Sequence, residues 1–299
     1  MNISQLILKS NLPIREISPE EVQQVRSIYL DILKDILYVC EKYQFTPIMG
    51  GGSCLGAIRH KGFIPWDDDL DLNMMRKEYD QLPNLIQKEF GGKYGCFGAN
   101  ISIPSKYPFM RVERLDTILQ NIYQTSNEPH HIGVDIFPID NIPNNWLIRT
   151  FHGTTLNLIQ YIALCISFYQ NRNCYFTKLL KSTKEGKNKA NFRLFVGWIN
   201  SFLFSSSSLY IMFDKLSARY QNKTTKDVSI PTGRSHYFGE IYQKSTFFPI
   251  QQGSFEGINV PIPQDYDTYL RSLYGDYMKI PSEDKRERHY IVKIVLPSK

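Results

Sequence analysis

The sequence predicts an α/β protein: a mixed sheet with helices packed against it, plus a mainly helical insertion. Three observations lead there. A strand, a glycine turn, a short helix and an acidic strand follow one another within residues 45–74. A long amphipathic helix precedes this unit, and an apolar strand over Ile132–Phe137 follows it. Between residues 144 and 230 the chain turns aromatic and aliphatic at helical spacing.

The elements follow in order. Ser18-Pro19-Glu20-Glu21 is a capping box with proline at the first helical position. Val22, Val25, Tyr29, Ile32, Leu33, Ile36 and Cys40 then recur on one face, so the helix runs to Lys42. Phe45–Met49 is the first strand. Gly50-Gly51-Gly52 lets the backbone approach a ligand, and Ser53 reads as the N-cap of a helix over Leu55–Arg59 that stops at Gly62. Asp69–Met74 is the second strand. Lys77–Phe90 reads as a helix closed by Gly91-Gly92, and Phe109–Arg114 with Asp116–Tyr123 as a hairpin. Ile132–Phe137 is a further strand, which Pro138 ends.

With 299 residues, 42% hydrophobic and 21% charged, the chain is an ordered globular protein of one large domain or two small ones. A formal charge of +6 suits anionic partners without choosing among them. No clustered basic and aromatic pattern supports nucleic-acid binding. The five cysteines have no zinc-finger or Cys-x-x-Cys spacing, His130-His131 and His236 lack ligand partners, and Cys54 reads as a small buried thiol. Met1–Pro13 does not resemble a signal peptide, so a cytoplasmic location is expected.

Asp69 and Asp71 carry the chemistry. Positions i and i+2 of a strand share a face, so both carboxylates point together while Leu70 and Leu72 point into the core. Carboxylates paired beside a phosphate cradle suit a metal-bound nucleotide; the alternative is a solvated acidic turn. Asp135 sits between Val134 and Ile136, where an unpaired carboxylate is costly. It either joins the site or makes a structural salt bridge. Gly51, Gly52 and Ser53 are the phosphate cradle. Arg59, His60 and Lys61 either contact substrate or complement a helix C-terminus. Arg111 and Arg114 reach phosphate or form exposed salt bridges. Asp67 and Asp68 read as a turn, although Asp67 has the parity to touch a second metal, and Trp66 either packs or stacks on a base.

These motifs resemble the LicD family of phosphotransferases, within the nucleotidyltransferase superfamily. The resemblance rests on GGSCLGAIRHKGFIPWDDDLDL (51–72), GVDIFPID (133–140) and VPIPQDYDTYLRSLYGDYMKIP (260–281). It implies a nucleotidyltransferase-like core over 1–143, an insertion over 144–230 and a C-terminal part of the same fold over 231–299. It also implies that Asp69, Asp71 and Asp135 form a metal site for Mg²⁺ or Mn²⁺. The expected partners are a CDP-linked donor and a glycan acceptor, often lipid-linked. The expected reaction moves phosphocholine or a similar group to a sugar hydroxyl in lipopolysaccharide, teichoic acid or capsule. The rival readings are an Asp-x-Asp glycosyltransferase and an inactive scaffold. Trp146–Tyr220 either packs on the core or lies in a membrane surface, with basic residues at the headgroups.

Overall fold

The computed structural model describes residues 6–7, 10–124, 130–286, 288 and 290–297. Part of the Met1–Pro13 stretch therefore lies outside the described residues. Strand β1 (Arg15–Glu16) leads into helix α1 (Pro19–Tyr43). The capping box closes in both directions: Glu21 N–H donates to Ser18 Oγ at 3.2 Å, and Ser18 N–H to Glu21 Oε2 at 2.9 Å. Val25, Ile32, Leu33 and Ile36 of α1 are fully buried against the sheet.

Strand β2 (Ile48–Met49), helix α2 (Gly51–Arg59) and strand β3 (Asp71–Met75) follow. The expected helix over 77–90 is two, α3 (Arg76–Tyr79) and α4 (Leu82–Phe90), the second with Pro83 in its first turn. Proline lacks the N–H that would carry one helix through, and Gly91 at φ +53° ends α4. Strands β4 (Tyr94–Phe97), β5 (Met110–Arg114), β6 (Ile118–Asn121) and β7 (Ile132–Asn141) come next.

Two expectations fail here for readable reasons. β5 and β6 do not form a hairpin, because both edges of β5 are taken by β4 and β7. Pro138 does not end β7. Asp135 N–H bonds to Leu70 O, so odd-numbered N–H groups of β7 face β3 and even-numbered ones face β5. The β5 ladder stops at Ile136, so the N–H that Pro138 lacks has no ladder partner to lose.

Helices α5 (Trp146–Gln170), α6 (Tyr175–Lys181), α7 (Lys184–Asn200) and α8 (Ser206–Ser217) occupy the middle of the chain. Among the described residues no helix is long and apolar enough to cross a membrane. Leu156, Ile159, Ile166, Leu209 and Phe213 form a second core between α5 and α8. Strand β8 (Asp227–Ser229), helix α9 (His236–Gly239), strands β9 (Ile241–Gln243), β10 (Gln251–Phe255) and β11 (Ile258–Ile262), helix α10 (Tyr266–Tyr274) and strand β12 (Tyr290–Val295) complete the order.

The main sheet runs β2-β3-β7-β5-β4, parallel between β3 and β7 and antiparallel elsewhere, and β8 extends β7 and pairs with β9. β12 joins β1 to β6 in a separate sheet. Hairpin β10–β11 packs on α2. A buried ion cluster ties the sheet to α8. Arg76 holds Asp140 through Nε and Nη2 at 2.7 and 2.8 Å, and Asp214 through Nη1 at 2.7 Å.

Candidate active site

Register builds the site. Asp71 of β3 lies opposite Asp135 of β7, and Asp135 lies opposite Arg111 of β5. Residues in register project to one face, so the three side chains form a row across three adjacent strands. Leu70, Leu72, Val134 and Ile136 take the opposite face and are fully buried. That core, with α1 against it, fixes which face the carboxylates occupy. Arg111 Nη1 lies 3.2 Å from Asp135 Oδ1, and its Nε lies 3.1 Å from Glu113 Oε1. Asp69 precedes β3, is more exposed than Asp71, and still lines the same cleft.

The glycine turn clamps this row. Gly50 is the N-cap of α2, and Ser53 is not. Ser53 lies inside the first turn, where its buried Oγ accepts the N–H of Asp71 at 2.8 Å. Gly50 N–H donates to Asp71 O at 2.9 Å, so the turn holds the Asp71 backbone on both sides. The hydroxyl thus serves the acidic strand rather than its own helix end. Gly51 adopts φ +41°, and a Cβ there would sit 3.0 Å from Asp71 Oδ2. A Cβ on Gly52 would come within 2.8 Å of Asp67 Oδ2. The lack of side chains keeps this approach open.

A cleft of about 480 Å³ opens over the row. It is lined by Gly51, Gly52 and Arg59 of α2, by the carboxylates Asp67, Asp69, Asp71 and Asp135, and by Arg234, Glu240, Tyr269 and Tyr274 from later in the chain. Arg59 Nη1 donates to the Tyr277 carbonyl, which ties α2 to the segment after α10. Trp66 also lines the cleft, with the guanidinium of Arg286 4.5 Å from its ring centre.

His60 and Lys61 lie apart from the lining. His60 stands edge-on to Trp66, and exposed Lys61 takes a left-handed φ of 60°. A Cβ on Gly62 would meet the Glu256 carboxylate at 2.1 Å. Arg111 is turned to Asp135, Glu113 and the Gly133 carbonyl. Arg114 pairs with Asp116 and Asp31, the salt-bridge alternative.

The sequence did not single out Tyr269. Its hydroxyl accepts from Gly51 N–H at 2.9 Å and from Asn73 Nδ2 at 3.1 Å, so helix α10 fixes the start of α2. Tyr274 places its hydroxyl beside Gly51 and Gly52, with Arg234 5.4 Å from its ring centre.

A family profile for the LicD/FKTN/FKRP nucleotidyltransferase domain matches residues 45–158. The chain is also 27% identical over 281 residues to the lipopolysaccharide cholinephosphotransferase LicD of Haemophilus influenzae, covering 90% of this chain and 96% of that one. These two matches support a LicD family phosphotransferase. An uncharacterized Rickettsia prowazekii protein is 26% identical over 41% of this chain and 51% of its own length. An uncharacterized Rickettsia typhi protein is 33% identical over 20% of this chain and 19% of its own. The matched domain holds the glycine turn, the acidic row and Arg111. Tyr269 and Tyr274 come from beyond it, so the cleft closes with residues from the far end of the chain.

The electrostatics of the acidic row are repulsive. Burial raises the carboxyl of Asp71 well above the usual range, and the charges of Asp69, Asp135 and Asp67 raise it further. Burial raises Asp135 to about 7 although Arg111 opposes the shift. Burial works against the charge on Arg111, but Asp135, Tyr107 and Glu113 outweigh it and keep Arg111 charged. Asp135 Oδ1 is buried and accepts no hydrogen bond, so it has the charge of Arg111 beside it without a proton to share. Among the described residues no three Asp, Glu, His or Cys side chains are already drawn into a metal cage. The donor set still suits a hard divalent cation. It is all oxygen, mutually repelling, open on the cleft side and holds an unsatisfied buried oxygen.

Proposed function

We propose that this chain transfers phosphocholine, or a similar phospho-substituent, from a CDP-activated donor to a sugar hydroxyl of a cell-surface glycan, with Mg²⁺ or Mn²⁺. The observation that carries this reading is the in-register Asp71–Asp135 pair beside the glycine turn. The Haemophilus relative, named a lipopolysaccharide cholinephosphotransferase, supplies the substrate class. Asp69, Asp71 and Asp135 are the residues that would hold the metal. Bound there, it would neutralise the donor diphosphate and the charge growing on the leaving group.

The chain's own residues do the remaining work. Gly51 and Gly52 leave room at the start of α2 for phosphate oxygens, where the helix dipole favours negative charge. Arg59 and Arg234, both on the cleft wall, add positive charge. Arg111, next to Asp135 in the row, holds it in place. The acceptor oxygen bonds to the phosphorus distal to the nucleoside, the bond to the CMP oxygen breaks, and the hydroxyl proton passes to Asp135. Alignment and charge neutralisation do most of the catalysis.

The test is CMP release from a panel of CDP-linked donors, given a glycan acceptor, with Mg²⁺ or EDTA, for wild type and Asp71→Ala. Metal-dependent release from one donor, lost in the variant, is the expected result. Consumption of a sugar nucleotide with release of a nucleoside diphosphate would instead establish a glycosyltransferase.

A further inference from the structure

Helix α7 buries one side and leaves the other bare. Ala190 and Gly197 pack inward, and a Cβ on Gly197 would strike the Cys165 carbonyl of α5 at 2.1 Å. Outward stand Phe192, Phe195, Trp198 and Ile199, followed by Phe202 and Leu203 just beyond the helix. These are 44–76% exposed, and the run 192, 195, 199, 202 follows one helical face. The aromatic rings touch one another rather than the core: Trp198 lies 6.2 Å from Phe195 and 5.5 Å from Phe202 between centroids. Contiguous exposed apolar surface of this kind marks an interaction site.

The surroundings of this face carry one sign of charge. Lys178, Lys181, Lys184, Lys187, Lys189 and Arg193 are all exposed within residues 178–193, against Glu185 alone. Lys189 pairs with that glutamate at 2.6 Å. Beside α7 a groove of about 390 Å³ is lined by Tyr161, Leu164 and Phe168 of α5, and Arg193 closes it. Aromatic rings on a bare helical face, bordered by lysines, are the pattern of a helix lying in a lipid interface.

We propose that this face docks on an anionic phospholipid bilayer, its rings at the acyl boundary and the lysines at the headgroups. A second copy of the chain fits less well. A symmetric pair would set the same patch against itself, bringing both lysine rows together. Negative headgroups complement the row instead, and among the described residues no helix can cross the bilayer, so contact stays at the surface. Docking needs no donor and no turnover, so it is independent of the proposed reaction.

The experiment is flotation of the full chain with vesicles of phosphatidylglycerol and phosphatidylcholine, and with phosphatidylcholine alone. Binding to the anionic vesicles only is expected, falling as salt rises. Each lysine near the surface contributes about fivefold to partitioning, so Lys184→Glu/Lys187→Glu/Lys189→Glu should weaken it by about a hundredfold or more. Phe195→Ser/Trp198→Ser/Phe202→Ser should abolish it while the circular dichroism spectrum is retained. If that variant fails to fold, the lysine variant and a blue shift of Trp198 emission, in a Trp66→Phe/Trp146→Phe background, decide the matter. No flotation of wild type on anionic vesicles would overturn the proposal. So would a dimer in ultracentrifugation that the apolar variant abolishes, without vesicle binding.

Discussion

Replacing Asp135 with asparagine should make the protein more stable, and by an amount that depends on pH. In the folded chain burial holds this carboxyl at about 7 against a reference of 3.8. The folded state therefore binds the proton more tightly than the unfolded chain does. Below pH 3.8 both states are protonated and the residue contributes no penalty. As pH rises toward 7 only the unfolded chain ionises, and native stability falls; above 7 the penalty is constant. At 1.36 kcal/mol per unit the plateau is about 4 kcal/mol, an upper bound. At pH 5 it is about 2 kcal/mol. Urea unfolding of wild type and Asp135→Asn in EDTA at pH 5 and pH 8 measures this. The variant should be the more stable at both, with the larger gain at pH 8. The opposite sign would refute the reasoning. If Asp135 and Arg111 form a stabilising structural ion pair, removing the carboxylate leaves a buried guanidinium short of a partner and destabilises by about 3–5 kcal/mol.

Other perturbations have equally definite outcomes. Arg76→Met leaves the buried carboxylates of Asp140 and Asp214 without their cation, and urea unfolding should show a loss of about 3–5 kcal/mol. Ser53→Ala orphans the Asp71 N–H, which should destabilise the fold by about 1–3 kcal/mol and lower activity through the displaced carboxylate. Gly52→Ala puts a methyl group into the cleft beside Asp67, whose flexible side chain can move aside, so unfolding should be little changed. Calorimetry with the CDP donor should show binding weakened about tenfold, or about 1.4 kcal/mol. Mg²⁺ should raise the melting temperature of wild type and not of Asp71→Ala; equal shifts would argue that the metal binds elsewhere.

Local patterns in the sequence carried much of this architecture. The capping box at Ser18 and the apolar stripe of α1 are complete within one segment, and both appear as expected. The alternation Asp69-Leu70-Asp71-Leu72 was enough to orient β3, because the two leucines can only point into the core. Errors arose where a residue had two uses. Ser53 has the chemistry of an N-cap, but the N–H it serves belongs to Asp71 on the next strand. The hairpin over 109–123 was drawn from adjacency, whereas β6 pairs with a strand from the end of the chain. Tyr269 reaches Gly51 across 218 residues, and no local spacing announces such a contact. Glu240 also lines the cleft and is raised by burial to about 7, and no local spacing in the sequence points to it.

In the proposed reaction the acidic row moves a phospho-substituent and leaves the nucleotide behind. The most direct test uses CDP-choline labelled in the choline, a glycan acceptor and Mg²⁺, with label in the glycan and free CMP counted together. One CMP per labelled group transferred is expected, with both lost in EDTA and in Asp71→Ala. Nucleotide joined to the acceptor would contradict it, as would label transfer that survives Asp71→Ala.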